Sequence, residues 1–355
     1  MRGIMKKKAE TKLLSNTEIA FFCGQMSMMM SAGITVSEAL HLLQEDTENT
    51  QGKDFIFSMA KMLDSGNSFY ESLLDSGVFP KYVLDMIHIG EQTGNLDEVF
   101  SSLASYYERE ENISKGIRSA VTYPFIMIAM MLCVILVLIV KVLPVFEQVF
   151  EQLGSSMTGL SASILHLGQS ISNYSALFVI LFGIMVLLYL FFTHSPSGRE
   201  KLRDFAAGFP LTKDLYSSIA AGRFSSGMAL ALRSGFHTEE GLLMVKELIT
   251  NKHYLKKIDA CHEYMKSGEN FSEAVIHANI FSGTYGRMVH IGFKSGKLDE
   301  IMAKIALQYE NDVDYKINHF VSILEPTLVA ILSVVVGMIL LSVMLPLMGV
   351  MSSIG

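Results

Sequence analysis

The sequence predicts an all-α integral membrane protein with two duplicated cytoplasmic antiparallel helical bundles and three transmembrane helices. Three observations lead to this prediction. Residues 22–150 and 224–352 repeat one pattern at a constant offset of 202 residues without a gap. Three apolar runs are each long enough for a helix to cross a bilayer. Glycines and helix-capping residues divide the remaining polar sequence into short helices, with few strand signals.

The internal repeat holds at glycine, proline and charged positions as well as at apolar ones. Shared composition does not preserve a register over this length, so the pattern indicates one duplicated module. First-copy residues that recur 202 positions later include Phe22, Gly33, Glu38, Ser65, Gly66, Gly94, Tyr107, Glu108, Pro124 and Pro144. Each copy ends in a long apolar run, which predicts a polar bundle followed by a membrane helix, twice.

The distribution of charge predicts the topology. Half of the residues are hydrophobic and 18% are charged. Every Lys and Arg except Lys141 lies in residues 1–120 or 193–322, and cytoplasmic segments are the ones enriched in these residues. Both polar bundles are therefore expected in the cytoplasm, with the C-terminus outside and the protein in the cytoplasmic (inner) membrane.

These observations divide the chain into eight segments. The predicted order is a basic tail (1–18), a first bundle (19–120), a first transmembrane helix (121–143), an external loop (144–175), a second transmembrane helix (176–192), a second bundle (193–322), a third transmembrane helix (323–348) and a short external C-terminus (349–355).

Turn and cap residues define the helices of each bundle. Ser68 followed by Glu71 three residues later is a capping box, and Thr35 with Glu38 is another. Turns are predicted at Gly33, Gly90 and Gly94, and at their repeats Gly235, Gly292 and Gly296. The last helix of each bundle has no stop signal before Pro124 or Pro326, which lie at the membrane entrance and tolerate a kink or a helix start.

The sequence lacks the patterns of an enzyme or of a metal or cofactor site. Residues 292–298 resemble a phosphate-binding loop, but the glycine spacing is one residue short and Leu298 stands where Ser or Thr is needed. The histidines and cysteines show no metal-ligand spacing. The first bundle with its tail has 11 basic and 17 acidic residues and the second has 16 and 15, so nucleic-acid binding is not expected. We predict no catalysis, no cofactor and no metal.

Glu325 is the most informative single charge because it lies at the inner edge of the third apolar run. A carboxylate in lipid is costly unless it is paired or hydrated. Two interpretations stay open: solvation at the membrane interface, or contact with a basic group of a partner subunit or membrane client.

Together these residues resemble the type II secretion system F domain family, the inner-membrane platform proteins of type II secretion, type IV pilus and competence machines. The resemblance covers nearly the whole chain, including its duplication and its three apolar runs. One departure is Phe293 with Lys294, where the family has Gly-Glu and this chain's first copy has Glu91. The segments that carry the resemblance are Ser31 to Ile34, Ile89 to Leu96, Tyr107 to Glu110, Tyr123 with Pro124, Pro144 to Phe146 and Leu324 to Pro326.

The resemblance implies six helices for each bundle, homo-oligomerisation in the membrane and a position above a hexameric secretion ATPase. The protein would couple this cytoplasmic ATPase to the insertion or extraction of pilin or pseudopilin subunits, together with other membrane assembly proteins. Candidate partner or assembly contacts are Glu91, Asp97, Glu98, Asp299, Glu300 and Glu325. A small transporter or channel subunit is the alternative, although the apolar runs lack the charge relay or broken helix pair of a transporter.

Overall fold

The computed structural model describes residues 13–46, 50–142 and 212–354, together with a few isolated positions between residues 144 and 209. Over these residues the chain is helical with connecting turns and has no strand, which confirms the all-α prediction. The external loop and the second transmembrane helix predicted at 144–175 and 176–192 fall almost entirely outside the described residues.

Each repeat contains six helices, as the resemblance implied. The first repeat has α1 (Asn16–Ser31), α2 (Val36–Asp46), α3 (Thr50–Asp64), α4 (Phe69–Ser76), α5 (Lys81–Thr93) and α6 (Leu96–Val137), which a π-helical turn extends to Val142. The second has α7 (Lys213–Arg233), α8 (Thr238–Lys246), α9 (Lys252–Lys266), α10 (Phe271–His277), α11 (Thr284–Ser295) and α12 (Leu298–Ile354).

Local sequence explains where the short helices begin. Ser68 and Glu71 form the capping box at the start of α4, with Ser68 Oγ accepting from the Glu71 N–H at 3.1 Å and Glu71 Oε2 accepting from the Ser68 N–H at 3.1 Å. The Glu38 N–H likewise donates to Thr35 Oγ1 at 3.3 Å where α2 begins. In the second repeat His237 precedes α8 without a side-chain cap.

Glycines serve two different purposes in the repeat. Gly94 and Gly296 end α5 and α11 with φ angles of 75° and 69°, a left-handed conformation that glycine adopts without steric cost. Gly90 and Gly292, predicted as turns, instead lie inside these two helices. A Cβ atom at Gly90 would be 2.9 Å from Val99 Cγ2, so this glycine allows close packing rather than a turn.

The chain divides into two compact units. The first comprises Met1–Lys115 and Ala207–Asp314 and thus contains both bundles; the second comprises Gly116–Ala206 and Tyr315–Gly355. In the first unit the buried apolar side chains of both bundles form one contiguous core. One aromatic contact occurs in both bundles. The ring centroids of Phe22 and Phe79 lie 5.2 Å apart, and those of their repeats Phe224 and Phe281 lie 5.7 Å apart.

The second unit contains the apolar parts of α6 and α12. Among the described residues, Leu96–Ile135 and Leu298–Leu341 are long and apolar enough to cross a membrane by length and composition. Both helices continue through their proline, Pro124 in α6 and Pro326 in α12. Large apolar side chains such as Met130 and Val334 are 59% and 60% exposed, as lipid contact would require.

Candidate functional site

Glu91 forms a specific contact within its own bundle. From α5, its two carboxylate oxygens accept hydrogen bonds from the backbone N–H groups of Phe69 at 2.7 Å and Tyr70 at 2.9 Å. These groups belong to the first turn of α4, where backbone donors lack helical partners and a negative charge is favoured. Glu91 therefore fixes α4 to α5, and its role as a partner contact stays a prediction.

The four other candidate acids of the bundles lie in the first turns of the two long helices. Asp97 and Glu98 begin α6, and Asp299 and Glu300 begin α12, where carboxylates interact favourably with the helix dipole. Asp97, Glu98 and Glu300 are exposed. Both helix starts thus present carboxylates to solvent, where a basic partner could reach them.

Within the described part of the chain, ion pairs are seen at the second pair of acids. Asp299 is half-buried with an oxygen 3.7 Å from Arg233 Nε, and Glu300 lies 3.2 Å from Lys297 Nζ. Ion pairs this exposed contribute little to stability. The carboxylates of α12 would therefore exchange these contacts for a partner at small cost.

Glu325 forms a hydrogen bond with a residue at the same position of the other repeat. In the second unit, the Tyr123 hydroxyl donates to Glu325 Oε1 at 3.2 Å, and these two residues are 202 positions apart. The bond links α6 to α12 next to Pro124 and Pro326. Glu325 is nevertheless exposed, so a contact between its second oxygen and a partner stays a prediction.

Sequence reasoning missed the ion pair that is the most buried among the described residues and that joins the two bundles of the first unit. Arg223 of α7 and Glu110 of α6 form a bidentate pair, with 2.6 Å from Nη2 to Oε2 and 2.9 Å from Nε to Oε1. Burial by itself would lower the pKa of the Arg223 guanidinium, but attraction and hydrogen bonding from Glu110 outweigh it and raise this pKa above its ordinary value. The Arg223 guanidinium is therefore charged at neutral pH. One signal was available: Arg223 is the single charged residue between Asp214 and Arg233 of α7.

Further polar contacts surround this pair. The buried Tyr82 hydroxyl donates to the Gly227 carbonyl at 3.2 Å, and Lys81 Nζ lies 2.6 Å from Glu247 Oε1. The α5–α6 side of the first bundle thus packs on the α7 side of the second. The residues that line a small cleft at this junction include Tyr106, Arg109, Ile113, Ile219, Gly222 and Glu310.

The chemistry of these contacts is that of a scaffold. They comprise helix caps, ion pairs and hydrogen bonds that hold helices together. Among the residues that the structure describes, no group of three His, Cys, Asp or Glu side chains is placed to hold a metal ion. The described thiols of Cys23 and Cys261 are buried, and burial raises the pKa of Cys261 to about 12. This pKa leaves the Cys261 thiol protonated and unreactive at neutral pH.

Comparison with known proteins identifies the same repeat. The family model described as type II secretion system (T2SS), protein F matches residues 22–144 and again 224–346, which confirms the duplication. The chain is 28% identical to the type IV pilus assembly protein PilC of Thermus thermophilus over 338 residues, covering 95% of this chain and 83% of that protein. It is 25% identical to the type II secretion system protein F of Pseudomonas aeruginosa over 344 residues, covering 96% and 85%. It is also 24% identical to the protein transport protein HofC homolog of Escherichia coli over 324 residues, covering 91% and 81%.

Proposed function

This chain belongs to the type II secretion system protein F family, and we propose that it is the polytopic membrane platform of a type IV pilus or type II secretion machine. In this role it couples a cytoplasmic hexameric secretion ATPase to the insertion or extraction of pilin or pseudopilin subunits during filament assembly. The observation that carries the proposal is the double family match over residues 22–144 and 224–346. Relatives that align over nearly the whole chain are named for pilus assembly and for secretion.

The two units of the structure support a division of labour. The first unit holds both bundles and offers the carboxylates at the starts of α6 and α12 to the ATPase. The second unit holds the apolar helices, which would contact the bilayer, the pilin helices and other membrane assembly proteins. We place the protein in the cytoplasmic membrane with both bundles in the cytoplasm and the C-terminus outside, because the Lys and Arg residues lie in and beside the bundles.

Two helices offer a physical route for coupling. α6 runs without a break from Leu96 to Val137, and α12 runs from Leu298 to Ile354. Each belongs to the first unit at its start and to the second unit further on. A continuous helix transmits displacement along its axis because backbone hydrogen bonds link each turn to the next. Motion that the ATPase imposes on a bundle would thereby reach an apolar helix of the same repeat.

Deletion of the gene in its native host tests the function. We expect loss of surface filaments, or of secretion through them, while pilin and the ATPase accumulate in normal amounts. Re-expression of the wild-type chain should restore assembly, which controls for effects on neighbouring genes. Normal filament assembly and secretion in the deletion strain would contradict the proposal.

An insertion tests the coupling itself. Four Gly-Ser residues inserted between Lys115 and Gly116 interrupt α6 and should abolish assembly, although the protein still accumulates in membranes. The same insert after Gly159, in the predicted external loop, is the matched control and should be tolerated. Full assembly with the first insert would mean that α6 anchors the bundle and does not transmit motion.

A further inference from the structure

The last two helices of the second bundle, α11 and α12, each leave one side exposed. Residues three and four apart lie on the same side of a helix, and on both helices a series with this spacing is exposed. We call these residues together the outer face. They are Thr284, Arg287, Ile291 and Lys294 on α11, and Lys304, Leu307 and Asn311 on α12.

The two exposed sides form one continuous surface. α11 and α12 pack antiparallel, because the Tyr285 and Tyr309 rings lie 5.1 Å apart while a Cβ atom at Gly292 would be 2.8 Å from Ile301 Cγ1. The helical repeat places the outer-face residues of both helices on the same side of these contacts, opposite the bundle core. The distance along the α11 axis from Arg287 to Lys294 is about 10 Å, which is two helical turns.

The outer face combines exposed aliphatic side chains with cations. Ile291 and Leu307 are 63% and 51% exposed. Arg287, Lys294 and Lys304 are exposed as well, and none of them takes part in an ion pair among the residues that the structure describes. Exposed apolar groups surrounded by charge are typical of a surface that another molecule covers.

The carboxylates beside the outer face do not neutralise it. At one end Asp299 lies 3.7 Å from Arg233, and Glu300 lies 3.2 Å from Lys297. At the other end Asp314 is exposed one turn beyond the last outer-face residue of α12. The region between these acids therefore has an excess of positive charge.

The equivalent side of the first bundle shows that a helix can pack here. α7 lies on the α5–α6 side, where the Tyr82 hydroxyl donates to the Gly227 carbonyl at 3.2 Å and Glu110 pairs with Arg223 at 2.6 Å. Tyr82 is only 2% exposed, whereas Thr284 at its repeat position is exposed. The same side of the repeat is thus covered by a helix in the first bundle and open in the second.

The charge on this side is reversed between the two bundles. In the first bundle it carries the carboxylates of Asp85 and Glu110 and receives the guanidinium of Arg223. The residues at the repeat positions of Asp85, Gln92 and Ser102 are Arg287, Lys294 and Lys304. A helix that fits the outer face therefore carries acidic side chains where α7 carries a basic one.

We propose that the outer face binds an amphipathic helix of another protein, whose apolar side packs on Ile291 and Leu307 and whose Asp or Glu side chains pair with Arg287, Lys294 and Lys304. Helices commonly bind in this way, through apolar residues at helical spacing. Complementary charges select the partner and increase the rate of association. The inference goes beyond the platform function and does not depend on it, because it requires only the surface of the second bundle.

The contacts within the chain favour this occupant over two others. The helix that covers the equivalent side of the first bundle favours a helix over an anionic lipid surface. The short helices of both bundles already bury their apolar sides in the common core, so a second copy of this chain has no amphipathic helix to offer among the described residues. Each of these two occupants gives a distinct result in the experiment below.

Photo-crosslinking with a photoreactive residue in place of Ile291 tests the inference. The full chain is expressed in its native host, membranes are irradiated, and mass spectrometry maps the residue of the partner that is joined. We expect a protein other than this chain, joined within an amphipathic helix that has two or more Asp or Glu residues at helical spacing. A photoreactive residue at Phe57, which is 50% exposed on α3, is the matched control and should not give this product.

Charge reversal tests the assigned pairs. Lys294→Glu combined with Lys304→Glu should reduce the yield of the product at least about fivefold, because both replaced cations face acids of the partner. Lys53→Glu combined with Lys61→Glu makes the same change in net charge at exposed positions of α3 and should leave the yield unchanged. Replacing the acids of the captured helix with Lys should restore the product with the first variant.

Four outcomes would overturn the inference. A product between two copies of this chain would make the outer face a self-association surface, and a product with lipid alone would make it a membrane contact. An unchanged yield after charge reversal, or a captured segment without acids, would contradict the assigned chemistry. No product at all, with the protein abundant in the membrane, would show that the outer face has no partner.

The crosslink and the deletion strain separate this inference from the proposed function. Capture of an acidic helix, together with normal filament assembly in the deletion strain, retains the binding surface and loses the platform function. Loss of filaments in the deletion strain, without such a product, retains the function and loses the binding surface.

Discussion

The helices α4 and α10 occupy the same place in the two repeats, yet different groups satisfy their first turns. α4 begins with Ser68, and its backbone N–H groups also donate to Glu91. α10 begins with Asn270, which accepts from the Glu273 N–H at 3.1 Å, and the neighbouring Ser272 contacts His290 at 3.0 Å.

The Phe22–Phe79 contact and the left-handed glycines Gly33, Gly66 and Gly94, by contrast, recur in the second repeat. The duplicated fold has therefore kept part of its apolar packing, while the polar contacts at these helix starts have diverged. The role of a polar residue in one repeat therefore cannot be assigned to the equivalent residue of the other repeat unless the two residues have the same contacts. The contact between the bundles is the extreme case, since Arg223 occupies the repeat position of Phe21.

The largest loss of folding free energy is expected at the Arg223–Glu110 ion pair between the bundles. Arg223→Ala leaves Glu110 nearly buried without its partner, which costs about 3–5 kcal/mol of folding free energy. The thermal unfolding midpoint of the full chain in detergent should fall accordingly. Arg233→Ala, which removes an exposed ion pair with Asp299, is the control and should change the midpoint little. Replacing both members, Arg223→Met with Glu110→Leu, should recover most of the loss; failure to do so would mean that the charges themselves are required.

The next largest loss of folding free energy is expected at Gly90 and Gly292, where two helices pack closely in both repeats. Gly292→Val places a side chain where a Cβ atom would be 2.8 Å from Ile301 Cγ1, and Gly90→Val does the same against Val99. Overpacking of this kind costs about 1–3 kcal/mol, and the two losses should be similar because the contact is repeated.

Gly116→Ala is the matched control for these two variants. Its Cβ atom would lie at an ordinary contact distance of 3.5 Å from Ile317. The unfolding midpoint of this variant should not decrease. Unequal losses at Gly90 and Gly292 would show that apolar packing has also diverged between the repeats.

A loss of stability of comparable size should distinguish the repeats at the start of α4. Glu91→Ala removes two hydrogen bonds from a charged acceptor to backbone N–H groups and should cost about 1.5–3 kcal/mol. Phe293→Ala, at the equivalent position, should cost less because Phe293 is 38% exposed. The comparison of the two unfolding midpoints tests the assignment, and equal losses would contradict it.

The smallest loss of folding free energy is expected at the N-caps of α4 and α10, where the two repeats use different residues. Ser68→Ala and Asn270→Ala each remove an N-cap and should each cost about 1 kcal/mol. Hydrogen exchange of the first-turn amides of α4 and α10 should rise in the corresponding variant only. If the first-turn amides stay equally protected from exchange in both variants, Glu91 and Ser272 are sufficient to stabilise the starts of these helices without the N-caps.

Several of these features could be predicted from the sequence because they depend on local pattern. The repeat, the Ser68–Glu71 box and the absence of a helix stop before Pro124 and Pro326 follow from residues near one another in the chain. The sequence allowed a kink or a helix start at each proline, and the structure places both prolines inside a single helix. The Arg223–Glu110 pair did not, because its members are 113 residues apart and neither has a local motif. Gly90 and Gly94 look alike in sequence, and only the position of Val99 shows that the first allows close packing while the second ends a helix.

The sequence indicated where the candidate acids lie in the helices, and their roles as partner contacts stay predictions. The acids at the starts of α6 and α12 are exposed, so their availability to a partner follows from the helix starts that the sequence indicates. The cap formed by Glu91 depends on α4 folding back on α5, which the local pattern does not specify. This contact makes Glu98, which is exposed, a better probe of partner contact than Glu91.

The most direct test of the platform function is photo-crosslinking in native membranes, with a photoreactive residue in place of Glu98 in one variant and of Glu325 in another. The proposal predicts capture of the secretion ATPase at the first position and of a pilin or pseudopilin at the second. A photoreactive residue at Asp54, exposed on α3, serves as the control for random contact. Capture of neither partner, with the protein intact and abundant in the membrane, would contradict the account, and solute transport by the purified chain in liposomes would favour a transporter instead.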